Sequence, residues 1–447
     1  TGAMVIARQQ ETAFSPVTSG WKEAKMKIND LVSRGLPLLI LAIAASTLVW
    51  AGVGIGGIAP ASAYEVWLTD QSDTAKESGG FLYIYDGAAL AANPAAAKPA
   101  VTIDLSGEIN KFCEEATKKP VRRPHMLFFN KNQDHAILSF LSGHVLFMDA
   151  QTRKPEACLS MGKNVHAAWP TPDQKMAIAA NIAEKKFIRI WTDYAAHKFT
   201  FDPQKDVVNL AALESGEIPD ASPICPITES SSRYAFVTLR GGGLLVFDVT
   251  TTPMKVVATL NNNQIHPAGC GGIQVGETMY INSGGGWPVA PLSYDVYALD
   301  LSNLPKSISA KLVSQRDDRF ADSHGMAGVG RYVWSADRAG NNIEIIDTLS
   351  NLSVGSVELV TDANKDPAPD LMDNAPDGQY VFVGLRGSNP LTGNDKTVNN
   401  AKGTIPGVGV IHVDVGGKVG HYKGQAAITN MKDGKETADT HGVAVRK

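Results

Sequence analysis

The sequence has 447 residues, of which 44% are hydrophobic and 19% are charged, and its formal net charge is −4. This composition is typical of a folded globular protein and excludes an intrinsically disordered chain. The near-neutral balance, without a stripe of Lys and Arg interleaved with aromatic residues, argues against nucleic acid as a partner.

The first predicted element is an export signal. A long apolar run ends in the small-residue sequence A-S-A at 61–63, and basic residues precede it: Lys22, Lys25, Lys27 and Arg34. This order is typical of a secretory signal peptide, here residues 26–63, and predicts a periplasmic or extracellular protein. The alternative is an uncleaved anchor, because the apolar run is long enough to span a bilayer, and this would be the chain's only contact with a membrane. Residues 1–25, which begin T-G-A-M, are interpreted as an added remnant or a start assigned upstream of Met26.

From residue 64 onward, one short pattern occurs seven times. An apolar run rich in β-branched and aromatic residues ends in Asp, at intervals of 44 to 67 residues. The seven positions are Asp86, Asp149, Asp193, Asp248, Asp300, Asp347 and Asp414. A carboxylate at the end of a strand can accept backbone N–H bonds and start a turn. Intervals of this size are those of propeller blades that carry loop insertions.

Each repeat also has an apolar run before and after the one that ends in Asp. The preceding run is E-V-W-L-T-D in the first repeat and Y-V-F-V-G-L in the last, and K-V-V-A-T-L is a following run. These compositions favour strands, and no sustained helical periodicity follows the signal segment. Four strands in each of seven units predict an all-β fold, a seven-bladed β-propeller with little helix.

The two ends of the predicted domain complement one another. The sequence after residue 63 starts directly with the second strand of a blade, whereas H-G-V-A-V-R-K at 441–447 has the pattern of an innermost strand. We therefore expect the C-terminal strand to complete the N-terminal blade, which closes the ring and removes an open sheet edge. Residues 64–447 are predicted to form a single domain.

The starts of the innermost strands carry most of the candidate chemistry, because in a propeller they gather at one mouth of the central channel. Five of the ten histidines occupy this position, together with a carboxylate and two thiols; the set is His125, His166, Cys225, His266, Cys270, His324, Asp370 and His441. Five imidazoles and a carboxylate have the composition of a transition-metal site, with the histidines as ligands and Asp370 as ligand or base. The alternative is structural, because a single His at this position usually bonds neighbouring loops.

Three arginines beside glycines fall in the loops between second and third strands, which emerge on the same face. Arg240, Arg338 and Arg386 predict an anion held by bidentate contacts. His144 lies in a similar loop. The glycine-rich segment 283–288 and the insertion 390–406 are expected to form part of the same rim.

Four cysteines occur in the chain. In an oxidising compartment we expect two disulfides, Cys113–Cys158 and Cys225–Cys270. The alternative is that Cys225 or Cys270 is a thiolate ligand of copper. Four other histidines lie on or near outer strands and are predicted to be structural: His135, His197, His412 and His421.

The phrases P-H-x-x-x-F, H-G-M-A and H-G-V-A-V, each leading into a strand, resemble exported propellers of the YVTN (YncE-like) repeat family over residues 64–447. In the wider superfamily, the layout is similar to the haem d1 propeller of cytochrome cd1, to the propeller of nitrous oxide reductase and to thiocyanate dehydrogenase. The resemblance implies copper, or alternatively a haem-type tetrapyrrole, at the five histidines, with the arginines on an anion. The chain has no cupredoxin domain and no C-x-x-C-H motif, so electrons would come from an external carrier.

The leading functional hypothesis is an exported propeller that binds copper at its channel mouth and performs redox chemistry on a small anionic molecule. The competing hypothesis is a non-catalytic scaffold that presents the same face to a protein or cell-envelope partner. A sugar- or lactone-processing propeller would also fit the fold, but no specific residues support it.

Overall fold

The computed structural model describes residues 63–447 except 75, 287–289, 317–320 and 394–400. The predicted signal peptide lies outside these residues apart from Ala63, as does all of the segment 1–25. Within the described part of the chain, no helix is both long and apolar enough to cross a bilayer.

The strands form seven antiparallel sheets arranged as the blades of a propeller, as the sequence predicts. Blade 1 contains β1 (Glu65–Asp70), β2 (Phe81–Asp86) and β3 (Val101–Asp104). Blade 2 contains β4 (Pro124–Phe129), β5 (His135–Phe140), β6 (His144–Asp149) and β7 (Pro155–Ser160). Blade 3 contains β8 (Val165–Pro170), β9 (Met176–Asn181), β10 (Lys186–Asp193), β11 (Lys198–Thr200) and β12 (Val207–Asn209). Blade 4 contains β13 (Pro223–Thr228), β14 (Tyr234–Leu239), β15 (Leu244–Asp248) and β16 (Lys255–Leu260).

The remaining blades follow the same order from the inside of the ring outwards. Blade 5 contains β17 (Gly272–Val275), β18 (Thr278–Gly286), β19 (Ala290–Asp300) and β20 (Ser309–Arg316). Blade 6 contains β21 (Ser323–Val329), β22 (Tyr332–Asp337), β23 (Asn342–Asp347) and β24 (Leu352–Glu358). Blade 7 contains β25 (Pro369–Asn374), β26 (Tyr380–Leu385), β27 (Gly407–Asp414) and β28 (Val419–Ala427). A hairpin of β29 (Met431–Lys432) and β30 (Lys435–Glu436) precedes β31 (Thr440–Arg446).

Strand β31 closes the ring by pairing with β1. The pairing is antiparallel, with Trp67 opposite Ala444 and Val66 opposite Val445. Blade 1 therefore takes its innermost strand from the C-terminal end of the sequence and its other three strands from residues 65–104. The predicted closure is confirmed.

The repeated Asp has the predicted role. Each third strand of a blade ends at one of the seven Asp residues, and six of their carboxylates accept a backbone N–H from the following turn: those of Asp86, Asp149, Asp193, Asp248, Asp300 and Asp347. The carboxylate thus satisfies amides that the sheet no longer pairs.

Helix content is low, at about 7%. The helices are α1 (Gly87–Ala92) and α2 (Glu108–Thr117), with short 3-10 segments at Pro94–Ala96, Leu210–Leu213 and Val415–Gly417. Helix α2 buries Ile109 and Cys113 against the outer strands of blade 2, where Cys113 forms the predicted disulfide with Cys158.

Hydrophobic cores fill the spaces between neighbouring blades. Second strands are mostly apolar because both of their faces are covered: Leu138 packs towards blade 1, while its neighbour Ile137 packs towards blade 3. A separate small cluster occupies the channel itself and includes Met126, Ile224 and Leu371. The cores hold the blades at fixed positions, so the starts of the innermost strands have fixed positions too.

Candidate metal centre

The structure brings most of the predicted ligand residues to one buried point. Five innermost strands present their second residue there: His125 from β4, His166 from β8, His324 from β21, Asp370 from β25 and His441 from β31. Blade 4 contributes the third residue of β13, Cys225, and blade 5 contributes Cys270, which comes two residues before β17. We call these seven residues the central cluster.

A β-bulge at the start of the innermost strands turns these side chains towards the axis. In β4 the pairing with β5 is interrupted between Pro124 and Leu127, so that His125 and Met126 are left out of the ladder. The same interruption occurs in five other blades, in β8, β13, β21, β25 and β31. A bulge leaves a residue unpaired and re-aims its side chain, which here happens at the ligand position in six of the seven blades, whereas β17 of blade 5 pairs without interruption.

Polar side chains on the second strands hold these bulges, and the sequence interpretation missed them. The Met126 backbone N–H donates to Ser139 Oγ (3.2 Å), and the Ser139 hydroxyl donates to the His166 carbonyl in the next blade (2.9 Å). The same link occurs at Thr69, Thr238 and Asn282, which contact the backbones of His125, Gly269 and His324. One polar residue in an otherwise apolar second strand, as in A-I-L-S-F, was the available signal.

One side of the central cluster is rich in sulfur. Ligand atoms of His166, Cys225 and Cys270 all lie within 4.8 Å of one another. Cys225 Sγ is 3.7 Å from His166 Nδ1 and 3.8 Å from the thioether sulfur of Met126. Thiolate and thioether sulfurs are soft ligands that select Cu(I) and zinc over magnesium or calcium.

The predicted disulfide between Cys225 and Cys270 is wrong. Both cysteines are free and buried, and they face each other and His166 instead of forming a bond. Burial raises the pKa of Cys225 well above its usual value. Burial also acts to raise the pKa of Cys270, but the hydrogen bond with Cys225 and the nearby His166 and His324 outweigh it and bring that pKa well below its usual value. The two cysteines therefore titrate as a coupled pair, in which the surroundings of Cys270 favour the thiolate more than those of Cys225 do.

The free thiols give a direct prediction. Alkylation of the unfolded protein without reductant is expected to modify Cys225 and Cys270, whereas alkylation after reduction modifies Cys113 and Cys158 as well. Intact-mass analysis counts the added groups in the two samples. If no group is added before reduction, the two central cysteines are bonded to each other in the isolated protein, and the prediction is wrong.

The other side of the central cluster combines imidazole with carboxylate. His324 Nε2 lies 3.0 Å, and His441 Nε2 lies 3.7 Å, from the same oxygen of Asp370, Oδ1. Four of the buried ligand atoms here have no hydrogen-bond partner: both ring nitrogens of His324, Nδ1 of His441 and Oδ1 of Asp370. Buried polar atoms normally have partners, so converging donor atoms without them are what a cation site requires.

The surroundings of Asp370 give the two neighbouring histidines, His324 and His441, very different pKa values. Burial and Arg338 act to lower the pKa of His324, but Asp370 and Cys270 raise it to about 9. Burial lowers the pKa of His441 to about 3, so this ring is a neutral ligand at physiological pH. Burial acts to raise the pKa of Asp370, yet the adjacent cationic groups, first of all His324, hold it well below its usual value. Asp370 is therefore a permanent carboxylate.

His125 connects the two sides. Its Nε2 lies 3.0 Å from His166 Nε2, and its ring centroid is 3.8 Å from that of His441. Its Nδ1 is 2.9 Å from Gln71 Oε1, and the amide of Gln71 is oriented by donation to Asp439 Oδ2. The Gln71 carbonyl therefore keeps the proton of His125 on Nδ1, so that Nε2 is an acceptor, which contacts His166 Nε2 and is the atom that would bind a metal.

Two of the three predicted arginines are buried, and they bind carboxylates of the chain. Arg386 donates to both oxygens of Asp439 (2.7 and 2.9 Å) and to Asp370 Oδ2 (2.7 Å). Arg338 pairs with Asp322 and reaches the same Asp370 oxygen at 3.4 Å. The prediction that these groups hold an external anion is corrected: their donors fix Asp370 so that its other oxygen faces the histidines. Arg240 pairs with Asp220, and half of its side chain is exposed.

The insertion predicted at the rim contributes to this support. Thr392 accepts a hydrogen bond from Gln71 Nε2 and one from Arg386, and the Leu391 backbone N–H donates to Asp439. Residues 394–400 of the insertion and 287–289 of the glycine-rich segment lie outside the described residues.

Two further histidines of the predicted mouth have separate partners. His266 Nδ1 is 2.8 Å from Asp295, its side chain is 37% exposed, and blade 5 places Cys270 in the central cluster instead. His144 is the first residue of β6 and is buried between the hydroxyls of Thr117 (3.0 Å) and Ser142 (2.9 Å).

His144 predicts a measurable pH dependence of stability. Burial and the nearby Lys119 lower its pKa to about 4. In the unfolded state His144 binds a proton below about pH 6.5, whereas in the folded state it does so only below about pH 4. The free energy of unfolding therefore falls as the pH falls from 6.5 to 4. We expect the His144→Gln variant to lose about 2 kcal/mol less than the wild type between pH 7 and pH 4.5. Urea denaturation of both proteins at the two pH values is the measurement, and equal losses would contradict the prediction.

Comparisons with known proteins give likenesses of fold. No protein-family model matches the chain, and no curated protein matches it, so the resemblance to the YVTN family stays a prediction. Among solved structures, hydrazine synthase of Kuenenia stuttgartiensis is 16% identical, with a TM-score of 0.46 over 65% of this chain and 76% of that chain. A dihydro-haem d1 dehydrogenase is 11% identical, with a TM-score of 0.45 over 85% and 74% of the two chains. A chain of the mitotic checkpoint complex is 10% identical, with a TM-score of 0.46 over 69% and 78%. These values carry no argument about ligand or activity; the fold is shown by the chain's own seven blades.

Proposed function

We propose that this chain is an exported copper protein that performs redox chemistry on a small anionic molecule at the central cluster. The observation that carries the proposal is the convergence of two cysteines, four histidines and one carboxylate at one point, with His324 and Asp370 Oδ1 lacking hydrogen-bond partners. Donor atoms of this kind select late transition metals, and copper binds most tightly among the divalent ions of the first row.

The donors divide into two unlike sets that adjoin. Cys225, Cys270 and His166 form a soft set, whereas His324, His441 and Asp370 form a harder one. His125 lies between the sets and is within reach of both His166 and His441. Soft ligands favour Cu(I), while imidazole and carboxylate suit Cu(II), so the pair of sets supports a metal that changes oxidation state.

When bound, copper would exchange single electrons with the substrate and with an external carrier. The chain's residues supply the surroundings. Arg338 and Arg386 keep Asp370 ionised and fixed, and Gln71 holds the tautomer of His125. Most of the central cluster is buried and His166 is half-buried, which points to this residue as the accessible edge for a substrate or carrier. Arg240 is the predicted arginine that remains exposed enough to attract an anion.

Export is part of the same proposal. The Cys113–Cys158 disulfide is of the kind that persists outside the cytosol. The predicted signal peptide at 26–63 would direct the chain to export. The same chain contains a structural disulfide and two reduced thiols in the central cluster, which fits a protein whose bound metal protects those thiols from oxidation.

The test is the metal content and absorption of the chain purified without a His tag, before and after reconstitution with copper. We expect copper to bind and, when oxidised to Cu(II), to give an intense visible band from thiolate coordination that disappears on reduction to Cu(I). Less than about a tenth of an equivalent after reconstitution, with no tetrapyrrole band, would leave the scaffold hypothesis instead. A tetrapyrrole band would identify the alternative cofactor.

A double variant separates a ligand role from a structural one. His324→Gln with His441→Gln should lower copper binding at the harder set, while circular dichroism and the unfolding midpoint stay near those of the wild type. Unfolding of the variant together with normal binding in its folded fraction would mean that these residues are structural.

A further inference from the structure

A second group of potential ligands lies away from the channel, at the boundary between blades 2 and 3. His135 is the first residue of β5, Glu156 lies on β7, and His197 precedes β11. Their ligand atoms all lie within 4.8 Å of one another. His135 Nε2 is 3.0 Å from Glu156 Oε2, and His197 Nδ1 is 2.8 Å from Glu156 Oε1, so both imidazoles face one carboxylate.

The contact between His135 and Glu156 is incomplete as it stands. The side chain of His135 is only 7% exposed, and its Nδ1 lies 2.7 Å from Asp134 Oδ1, a carboxylate oxygen that can accept a hydrogen bond from an N–H at this ring nitrogen. On the other side of the ring, Nε2 faces the carboxylate oxygen Oε2 of Glu156. Both Nε2 and Glu156 Oε2 are buried without a hydrogen-bond partner. Buried ligand atoms that converge without a well-formed hydrogen bond are the arrangement that a bound cation would satisfy.

The surroundings hold the ligands in a fixed orientation. Asp134 Oδ1 also accepts a hydrogen bond from Asn130 Nδ2 at 2.6 Å. These contacts orient the Asp134 carboxylate and, through it, the His135 ring, so that Nε2 points at Glu156. The His135 ring packs against Tyr194 at 4.9 Å and Phe199 at 6.2 Å between centroids. A carboxylate that receives the outer N–H of a histidine is the usual support of a metal-binding imidazole.

We propose that His135, Glu156 and His197 bind a divalent transition metal of the zinc type, and that this ion fastens blade 2 to blade 3. Two imidazole nitrogens and a carboxylate are zinc ligands, and three protein ligands leave a fourth position for water. The fourth position faces solvent, because 60% of the His197 side chain is exposed. Glu156 and His135 belong to blade 2, and His197 lies beside β11 of blade 3, so the ion joins two neighbouring blades.

This site is independent of copper at the centre. It contains no sulfur, so it cannot give the thiolate absorption expected of the central cluster. Loss of either site should therefore leave the signature of the other unchanged.

The experiment is zinc titration of the metal-free full-length chain by calorimetry, together with the unfolding midpoint with and without zinc. We expect His197→Ala to bind about one equivalent fewer than the wild type and to lose the thermal shift that this zinc produces. Because the His197 side chain is largely exposed, we expect His197→Ala to fold like the wild type. Glu156→Gln, which keeps the shape of the side chain, should lose the same equivalent.

His421→Ala is the matched control, because His421 is also an exposed imidazole, with 58% of its side chain exposed, beside a carboxylate, Asp414, at 3.4 Å. It should bind as much zinc as the wild type. Equal zinc binding by the wild type and His197→Ala would overturn the proposal, and so would an equal loss in His421→Ala. An unchanged thiolate–copper band in His197→Ala would show that the two sites are separate.

Discussion

The Arg386→Met variant is expected to lose about 3–5 kcal/mol of its free energy of unfolding. Arg386 is fully buried and neutralises two buried carboxylates, those of Asp370 and Asp439. Methionine occupies a similar volume but leaves Asp439 without its cation and Asp370 with only Arg338 and His324 beside it. An uncompensated buried charge is among the costliest single defects in a protein. The pKa of Asp370, which the neighbouring cations hold low, should rise as well.

Urea denaturation at neutral pH measures the effect, and Arg240→Met provides the matched control. Arg240 also pairs with an Asp, but half of its side chain is in water, so removing it should cost about 1 kcal/mol or less. Similar losses in the two variants would contradict the structural role given to Arg386. Arg386→Lys restores the charge without the two-pronged geometry and should fall between wild type and Arg386→Met.

The second large effect concerns the thiols. Cys225→Ser together with Cys270→Ser is expected to abolish the visible thiolate–copper band, because hydroxyl groups do not replace thiolates as copper ligands. Serine is smaller and preserves a weak donor, so the fold should survive. Copper at His324, His441 and Asp370 should still bind, and its weaker absorption and electron paramagnetic resonance signal should remain.

Cys113→Ser with Cys158→Ser is the control for this experiment. This pair forms the disulfide between α2 and β7 and makes no contact with copper in the proposed site. It should keep the visible band and lose only stability, by about 3 kcal/mol. A band that survives in Cys225→Ser/Cys270→Ser would show that the soft set is not a copper site.

The fold could be predicted closely because a repeated pattern determines it. The seven Asp residues mark the ends of the third strands to the residue, and the second strands, such as Tyr234–Leu239, begin and end where the apolar runs do. Helix α2 escaped prediction because it is short and held by a disulfide and two buried side chains, which a search for sustained periodicity does not detect.

The central cluster was predictable in part. Position in the repeat placed His125, His166, His324, His441 and Asp370 at one mouth, and the structure brings them together. Position alone could not exclude His266, because its displacement depends on the pairing with Asp295 and on Cys270 taking the place in blade 5. The bulges that aim the side chains have no residue signature beyond the polar residue on the second strand.

Charged partners were the least predictable feature. Arg338 and Arg386 stand beside glycines, and an external anion is a reasonable expectation from that pattern alone. Their actual partners lie at the starts of the innermost strands of three different blades: Asp322, Asp370 and Asp439. Only the three-dimensional structure therefore shows that the two guanidinium groups already form ion pairs within the protein. His135, Glu156 and His197 were separated along the sequence in the same way.

Ring closure by β31 sets the order of events during synthesis. His441 lies on that strand, and Gln71, which orients His125, receives its own orientation from Asp439 just before it. A ribosome-bound chain that lacks residues 439–446 has six complete innermost strands but an unfinished centre. The seven residues of the central cluster come together only after β31 has been translated and has docked against β1.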